Sequence, residues 1–493
     1  MRKIHALAAL LALSSPALAN PGDDAAAYLA RIAEVDDAGP ELNAVIVVNH
    51  DAPAQARAAA GLPLGGRTVL VKDNVETREW PTTAGSLALA DNRTGRDAPM
   101  IARLRAAGGV VLGKTNLSEW ANIRSTRSTS GWSAVGGQTR NPHATDRNAC
   151  GSSSGSGAAV AADLAWAAIG TETDGSITCP ASVNGIVGFK PTVGLISRTH
   201  VVPISHSQDT AGPMARSVAD AALLLNAIAG SDAADPATAE ADARKVDFAA
   251  GLADASLAGV RMGVMRKAVG GNPDVAAVFE IALADLGRAG AELVEIDYEP
   301  DAKMGGDEFL VLQYELREGL AAYLASSPAA IPVRTLDEVI AFNEAHAAQE
   351  LEWFGQEIFL TAAKTTDRAA YEQARANSLR LAGAEGIDKL LAEHRVSFLV
   401  APTVGPAWTT DLVNGDNYDG SIGAGSLAAI AGYPHLSVPM GAVHGLPVGL
   451  SIMGAKWADG AVLGAGAAYE RARTTPLPTP RLASWSDTNA YTN

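Results

Sequence analysis

Residues 97–115 read DAPMIARLRAAGGVVLGKT, and the reading of this stretch decides the fold class. Asp97 to Ala107 reads as a helix and Gly109 to Leu112 as the strand that follows it. The same string fits the phosphate-loop pattern GxxxxGK[ST] at Gly108–Thr115, with Lys114 and Thr115 in the phosphate-binding positions. A phosphate cradle is a loop between a strand and a following helix, so that free backbone N–H groups converge. Here the order is reversed, and Val110-Val111-Leu112 is strand material inside the supposed loop. Nucleotide binding is set aside, and the stretch is read as one helix-then-strand unit.

The alternation continues on both sides. Tyr28, Leu29, Ile32 and Val35 are spaced as one helix face, Leu42–Val48 reads as a strand, and Thr68–Val71 as another, ending at Lys72. Residues 131–157 turn to Gly, Ser, Asn and Thr, which is loop chemistry. Downstream, strands are expected at Arg261–Met265, Leu293–Ile296, Phe398–Ala401 and Leu436–Pro439, with a helix at Val275–Leu286. Residues 307–395, rich in Ala, Leu and Glu, read as a helical insertion over one side of the sheet. No internal repeat or linker divides the chain, which predicts a single large α/β domain.

The 493 residues are 47% hydrophobic and 19% charged, as in a globular protein. A net charge of −16 argues against nucleic acid, since phosphate contacts need clustered Lys and Arg, and against an anionic membrane surface. Two cysteines, Cys150 and Cys179, exclude a disulfide framework and a multi-Cys zinc site. Arg2 and Lys3, an apolar run from Ile4 to Leu13 and the ending Ala17-Leu18-Ala19 predict a secretory signal cleaved after Ala19. An exported protein, periplasmic or secreted, is expected; no later run reaches the ~18 apolar residues of a membrane span.

Chemistry concentrates in two loops. One is Cys150-Gly-Ser-Ser-Ser-Gly-Ser-Gly157, the other Gly170-Thr-Glu-Thr-Asp-Gly-Ser-Ile177. The first fits the G-x-S-x-G nucleophile elbow with Ser153 at its centre, but that turn needs a buried strand before it, and Gln138–Asn148 is polar. By composition alone four serines in seven residues are a surface loop. Their setting in Ala/Val-rich structure points instead to ordered, inward-facing backbone. A run such as Thr173-Asp174-Gly175-Ser176 can aim consecutive N–H groups at one point, as an oxyanion hole requires.

A serine nucleophile needs a base. His143, His200 and His206 fall in polar or irregular stretches and read as structural or solvated. No S-x-x-K tetrad exists among the ten lysines. Lys72 ends the apolar strand Thr68–Val71, where burial would lower its pKa and make it a neutral base. The alternative, a lysine that reaches solvent or pairs with Asp73, carries equal weight on the residues alone.

Lys72 in TVLVKDN, GKTN at 113–116 followed by Glu119, CGSSSGSGAAVAA and GTETDGSITCPAS together resemble the amidase signature family. So do GFKPT at 188–192, DTAGP at 209–213 with Arg216, and AGYPHLSVPM followed by GLPVGLSIMG. The resemblance spans nearly the whole chain after residue 19. It implies a mixed, twisted sheet covered by helices on both faces, no metal and no cofactor. It also implies a triad of Ser176 as nucleophile, Ser152 on a cis peptide bond and Lys72 as base, with Thr173, Asp174 and Gly175 supplying oxyanion and substrate contacts. TETDGS, CGSSSGSG and AFNEAHAAQELEWFGQE resemble the bacterial peptide-amidase branch, which implies cleavage of peptide C-terminal amides to carboxylate and ammonia through an acyl-enzyme. The partner expected is thus a peptide or small-molecule amide.

Two departures stand out. Asp174 replaces a glycine usual in the family, placing a carboxylate beside the oxyanion hole, and Thr178 replaces an arginine, so the charge pair of other members is not assumed. A broad aliphatic or aryl acylamidase would use the same residues. The amidase subunit of a tRNA-dependent amidotransferase fits the motifs but not the export signal or the acidity, and a non-catalytic binding protein fits poorly with intact Lys72, Ser152 and Ser176. A Cys150–Cys179 disulfide and two buried thiols stay equally open, as does the oligomeric state.

Overall fold

In a computed structural model of the chain, residues 20–485 are described; the expected export signal, residues 1–19, lies outside them. The strands in chain order are β1 (Val45–Val48), β2 (Thr68–Lys72), β3 (Val110–Thr115), four short strands β4 (Trp132–Ser133), β5 (Gly137–Gln138), β6 (Arg140–Asn141) and β7 (Ala144–Asn148), then β8 (Ala167–Glu172), β9 (Val187–Lys190) and β10 (Thr210–Ala215). After them come β11 (Arg261–Met265), β12 (Glu292–Ile296), β13 (Phe398–Pro402), β14 (His435–Val443) and β15 (Leu446–Met453). Eleven of these form one sheet in the order β1-β3-β2-β8-β10-β9-β14-β15-β13-β11-β12. The sheet is mixed: β2 runs parallel to β3 and β8, β11 parallel to β12 and β13, and the remaining pairs are antiparallel.

Side-chain alternation gives the sheet two apolar faces. Val69, Val71, Val111 and Ile169 enter one core, against helices Pro99–Ala106, Val218–Ile228, Pro273–Arg288 and Asp459–Ala472. Leu70, Leu112 and Ala168 enter the other, under helices Pro21–Val35, Ala52–Ala58 and Ser154–Ala161. The first of these helices starts where Asn20 accepts the Gly22 N–H at 3.1 Å and Pro21 follows.

Three expectations need revision. The strand after residue 109 continues through Gly113-Lys114 to Thr115, because the Lys114 amine finds buried partners and no longer needs water. The Ser/Gly segment is not loop throughout: Ser154–Ala161 is a helix. Glycine is needed there for close approach, since a Cβ on Gly155 would lie 2.3 Å from Ala44 O and 2.6 Å from Asn116 O. The helical region begins at Lys303, and its first part packs on loops at an end of the sheet: Leu316, Leu320, Val339 and Phe359 meet Leu89, Trp120 and Ile204. Its later part, Leu381 to Val396, together with Met304 at its start, lies against strand residues Met265, Leu399 and Met453.

Candidate active site

Lys72 stands at the end of β2, a strand whose five residues are all buried. Its side chain is 0% exposed. Nζ lies 2.8 Å from Ser152 Oγ, 2.8 Å from Thr171 Oγ1 and 3.2 Å from Thr171 O. Asn74 Nδ2 donates to the same Thr171 hydroxyl at 2.9 Å. Burial drives the Lys72 amine down to about 7, against the opposing pull of the Asp209 and Glu172 carboxylates. Asp73 does not pair with it. Its carboxylate meets Lys114 Nζ at 2.9 Å, with both side chains buried, so of the two readings the sequence left open for Lys72 the solvated or Asp73-paired one is excluded.

The Gly151–Ser152 peptide bond is cis. The two Ser loops meet side by side: the Ser153 N–H donates to Ser176 O at 3.1 Å. Cys150 and Cys179 are joined by a disulfide, which ties the first loop to the helix Thr178–Val183 that follows the second. Ser153 itself is fully buried, its hydroxyl donating to Thr171 O at 3.0 Å, consistent with its rejection as an elbow nucleophile.

The turn Thr173–Ser176 follows β8. Gly175 sits at φ +76°, in the left-handed region that suits glycine, with open space where a Cβ would be. Glu172 Oε2 accepts the N–H groups of Ile177 at 2.7 Å and Thr178 at 3.0 Å, and the Thr178 hydroxyl at 3.3 Å. The preceding N–H groups, of Asp174, Gly175 and Ser176, donate to no protein group among the described residues. Thr173 braces the other end: its hydroxyl donates to Asp209 Oδ1 at 2.6 Å, and Asp209 Oδ2 accepts the N–H groups of Ile204 and Ser205. Burial pushes Asp209 upward, with Thr173 and those backbone bonds opposing.

Thr173, Asp174, Gly175 and Ser176 line a cavity of about 550 Å³ together with Gly151. Its other walls come mainly from residues 403–427, including Trp408 and Tyr418, and from Ala121–Ile123. The helical region expected to shape it contributes only Met304 and Leu312, because most of its apolar surface is spent on loops elsewhere. The three histidines set aside earlier line none of it: His143 is buried with Nε2 3.0 Å from Asn184 O, and His206 lies 3.2 Å from Glu315. Arg216 pairs with Asp163 at the surface.

Sequence reasoning missed the work of Thr171, Glu172 and Asp209. Glu172 carried a usable signal, since a carboxylate at the end of a buried strand asks for partners as a lysine does. Thr171 and Asp209 lie inside the motifs GTETDGSITCPAS and DTAGP, but what they contact is visible in space alone. Among the described residues no group of three His, Cys, Asp or Glu could hold a metal ion, and no helix is long and apolar enough to cross a membrane.

The family model described as "Amidase" matches residues 25–463. A probable amidase of Arabidopsis thaliana is 38% identical over 477 residues, covering 92% of this chain and 87% of the plant protein. One subunit of the glutamyl-tRNA(Gln) amidotransferase of Salinispora tropica is 36% identical, covering 90% of this chain and 92% of its own length. Among solved structures, the native peptide amidase of Stenotrophomonas maltophilia superposes with a TM-score of 0.88 at 48% identity, over 93% of this chain and 95% of that one.

Proposed function

The chain belongs to the amidase family and is an amide-hydrolysing enzyme; from that premise we propose that it cleaves the C-terminal carboxamide of peptides to carboxylate and ammonia through an acyl-enzyme. Ser176 is the nucleophile, Ser152 the proton relay and Lys72 the base. The observation that carries the reading is the buried contact between Lys72 Nζ and Ser152 Oγ, beside a turn whose residues line a substrate-sized cavity and whose N–H groups have no protein acceptor among the described residues. Likeness to peptide amidase structures at 48–49% identity supports the peptide-amide substrate.

A neutral lysine has two N–H bonds and one lone pair. Thr171 O and Thr171 Oγ1 take the two hydrogens, so the lone pair is left for Ser152. Lys72 accepts the Ser152 proton, and Ser152 accepts the Ser176 proton as Ser176 Oγ bonds to the carboxamide carbon. The N–H groups of Asp174, Gly175 and Ser176 hold the oxyanion, where losing one donor costs roughly 10²–10³ in rate. As the C–N bond breaks, Ser152 returns a proton to nitrogen, which leaves as ammonia. Water then adds to the ester under the same relay, releasing the carboxylate and restoring Ser176.

Export to an oxidising compartment belongs to the same reading; the basic-apolar start of the sequence and the Cys150–Cys179 disulfide support it. The test is ammonia release from an amidated peptide, followed with mass analysis of the product. A mass gain of one unit at the C-terminus with internal bonds intact is expected. Cleavage of simple aryl amides alone would replace the peptide reading with that of an acylamidase.

A further inference from the structure

Asp174 and His435 bring two hydrogen-bond acceptors to the cavity wall, and the side chain of neither has a part in the relay. His435 opens β14, opposite Lys190 of β9, and is 1% exposed. Its Nε2 lies 2.7 Å from Ser451 Oγ, and Ser451 Oγ donates to Thr403 Oγ1 at 3.0 Å, which in turn sits 2.9 Å from Ser437 Oγ. With the Ser451 proton directed at Thr403, the Ser451 oxygen accepts from Nε2–H. That fixes the tautomer and leaves Nδ1 with a lone pair. Nδ1 has no partner among the described residues. Gly425, also in the cavity wall, lies directly against this buried edge: a Cβ there would lie 3.0 Å from Cε1 and 3.4 Å from Nδ1. Burial, reinforced by the Lys190 charge, pushes His435 down to about 3, so the ring stays a neutral acceptor.

Asp174 lies two residues before Ser176. The described residues lining the cavity include two carboxylates, Asp174 and Asp416, and no Lys or Arg. Asp416 is committed to the protein, accepting from Ser130 N, Ser130 Oγ, Asn148 Nδ2 and Trp408 Nε1. Asp174 is faced by the Ser426 hydroxyl as its side-chain donor. Burial pushes its carboxyl up to about 6, Glu172 adds to the rise, and Ser426 and Lys190 oppose it. Asp174 also raises the nearby Glu308, whose carboxyl burial drives up to about 8. Lys190, the one cation acting on both Asp174 and His435, is outnumbered by Glu172, Asp459 and Asp174 around it.

We propose that Asp174 and His435 form a subsite for a donor-rich cation on the substrate, so that amides bearing a guanidinium or ammonium group near the scissile bond are preferred over neutral and acidic ones. The inference rests on the amidase reading of the same cavity. A guanidinium offers a planar set of donors that two acceptors, one charged, can share. An acidic side chain meets repulsion there.

The experiment compares kcat/KM for Nα-acetyl-arginine amide, Nα-acetyl-norleucine amide and the α-amide of Nα-acetyl-glutamate. The arginine amide should exceed norleucine by about tenfold or more, with glutamate slowest. Asp174→Asn should shrink the arginine-to-norleucine ratio by about tenfold. Gly425→Ala, which covers the His435 edge, should shrink it as well. Equal rates for the arginine and norleucine amides, or a ratio untouched by both variants, overturn the subsite while leaving amide hydrolysis standing. If none of the three is hydrolysed, the peptide-amide reading fails separately. Calorimetric binding to the Ser176→Ala protein then decides the subsite: tighter binding of the arginine amide supports it and equal binding overturns it.

Discussion

Asp73 gives its carboxylate to Lys114, 2.9 Å away, and leaves Lys72, its neighbour in sequence, without a counter-ion: among the described residues no carboxylate lies within ion-pair distance of Lys72 Nζ. Two adjacent charged residues thereby take opposite roles. The Asp73–Lys114 pair is closed and structural, while Lys72 is left buried among hydroxyl and carbonyl oxygens, where its neutral form is favoured.

The pH dependence of kcat/KM follows from that neutrality. If Lys72 is the base, as proposed, it acts when deprotonated, so activity should plateau above about 7 and fall tenfold per unit below it. The Asp209 carboxylate raises the Lys72 value, so Asp209→Asn should move the acid limb to lower pH. A limb that stays in place in that variant would speak against Lys72 as the titrating base. Lys72→Ala should itself cost about 10²–10⁴ in kcat.

Ser176→Ala should lower kcat by on the order of 10⁴ or more, as nucleophile removal does in serine hydrolases, with an unchanged urea midpoint. A variant that turns over amides near the normal rate would remove Ser176 from its role.

Lys114→Met should destabilise the fold by about 3–5 kcal/mol, since it strands the buried Asp73 carboxylate without its cation. Urea unfolding measures this directly. A loss below about 1 kcal/mol would mean that Thr83, whose N–H and hydroxyl both donate to Asp73, suffices alone.

The Cys150–Cys179 disulfide closes a segment with a sequence separation of 29. Loop-closure entropy for that length gives about 3–4 kcal/mol of stability, to be lost in a Cys150→Ala/Cys179→Ala protein or under reductant. Because the bridge flanks both serine loops, kcat should fall with it even at temperatures where the protein stays folded. A reduced protein with full kcat would show that the loops hold their geometry without it.

Most of the frame was legible from sequence because apolar period and strand length report burial directly. Arg261–Met265 and the helix near Val275 fall where expected, and the sheet has helices on both faces. The helix Ser154–Ala161 was not legible, because its serines and glycines are poor helix formers that hold it through close backbone contact. Lys72 was a candidate from its place at a strand end, yet its partner was undecidable until Lys114 was seen to occupy Asp73. The cavity walls were hidden for a different reason: residues 403–427 carry little periodicity, and what they enclose depends on contacts far away in the chain.

That wall has an evolutionary meaning. The groups that would break the bond come from residues 72–179, whereas the surface that meets the rest of the ligand is drawn largely from a stretch more than two hundred positions downstream. Most of the cavity wall is therefore encoded apart from the proposed bond-breaking groups, Asp174 being the exception, and exchange of residues 403–427 between relatives would vary that wall while leaving residues 72–179 unaltered.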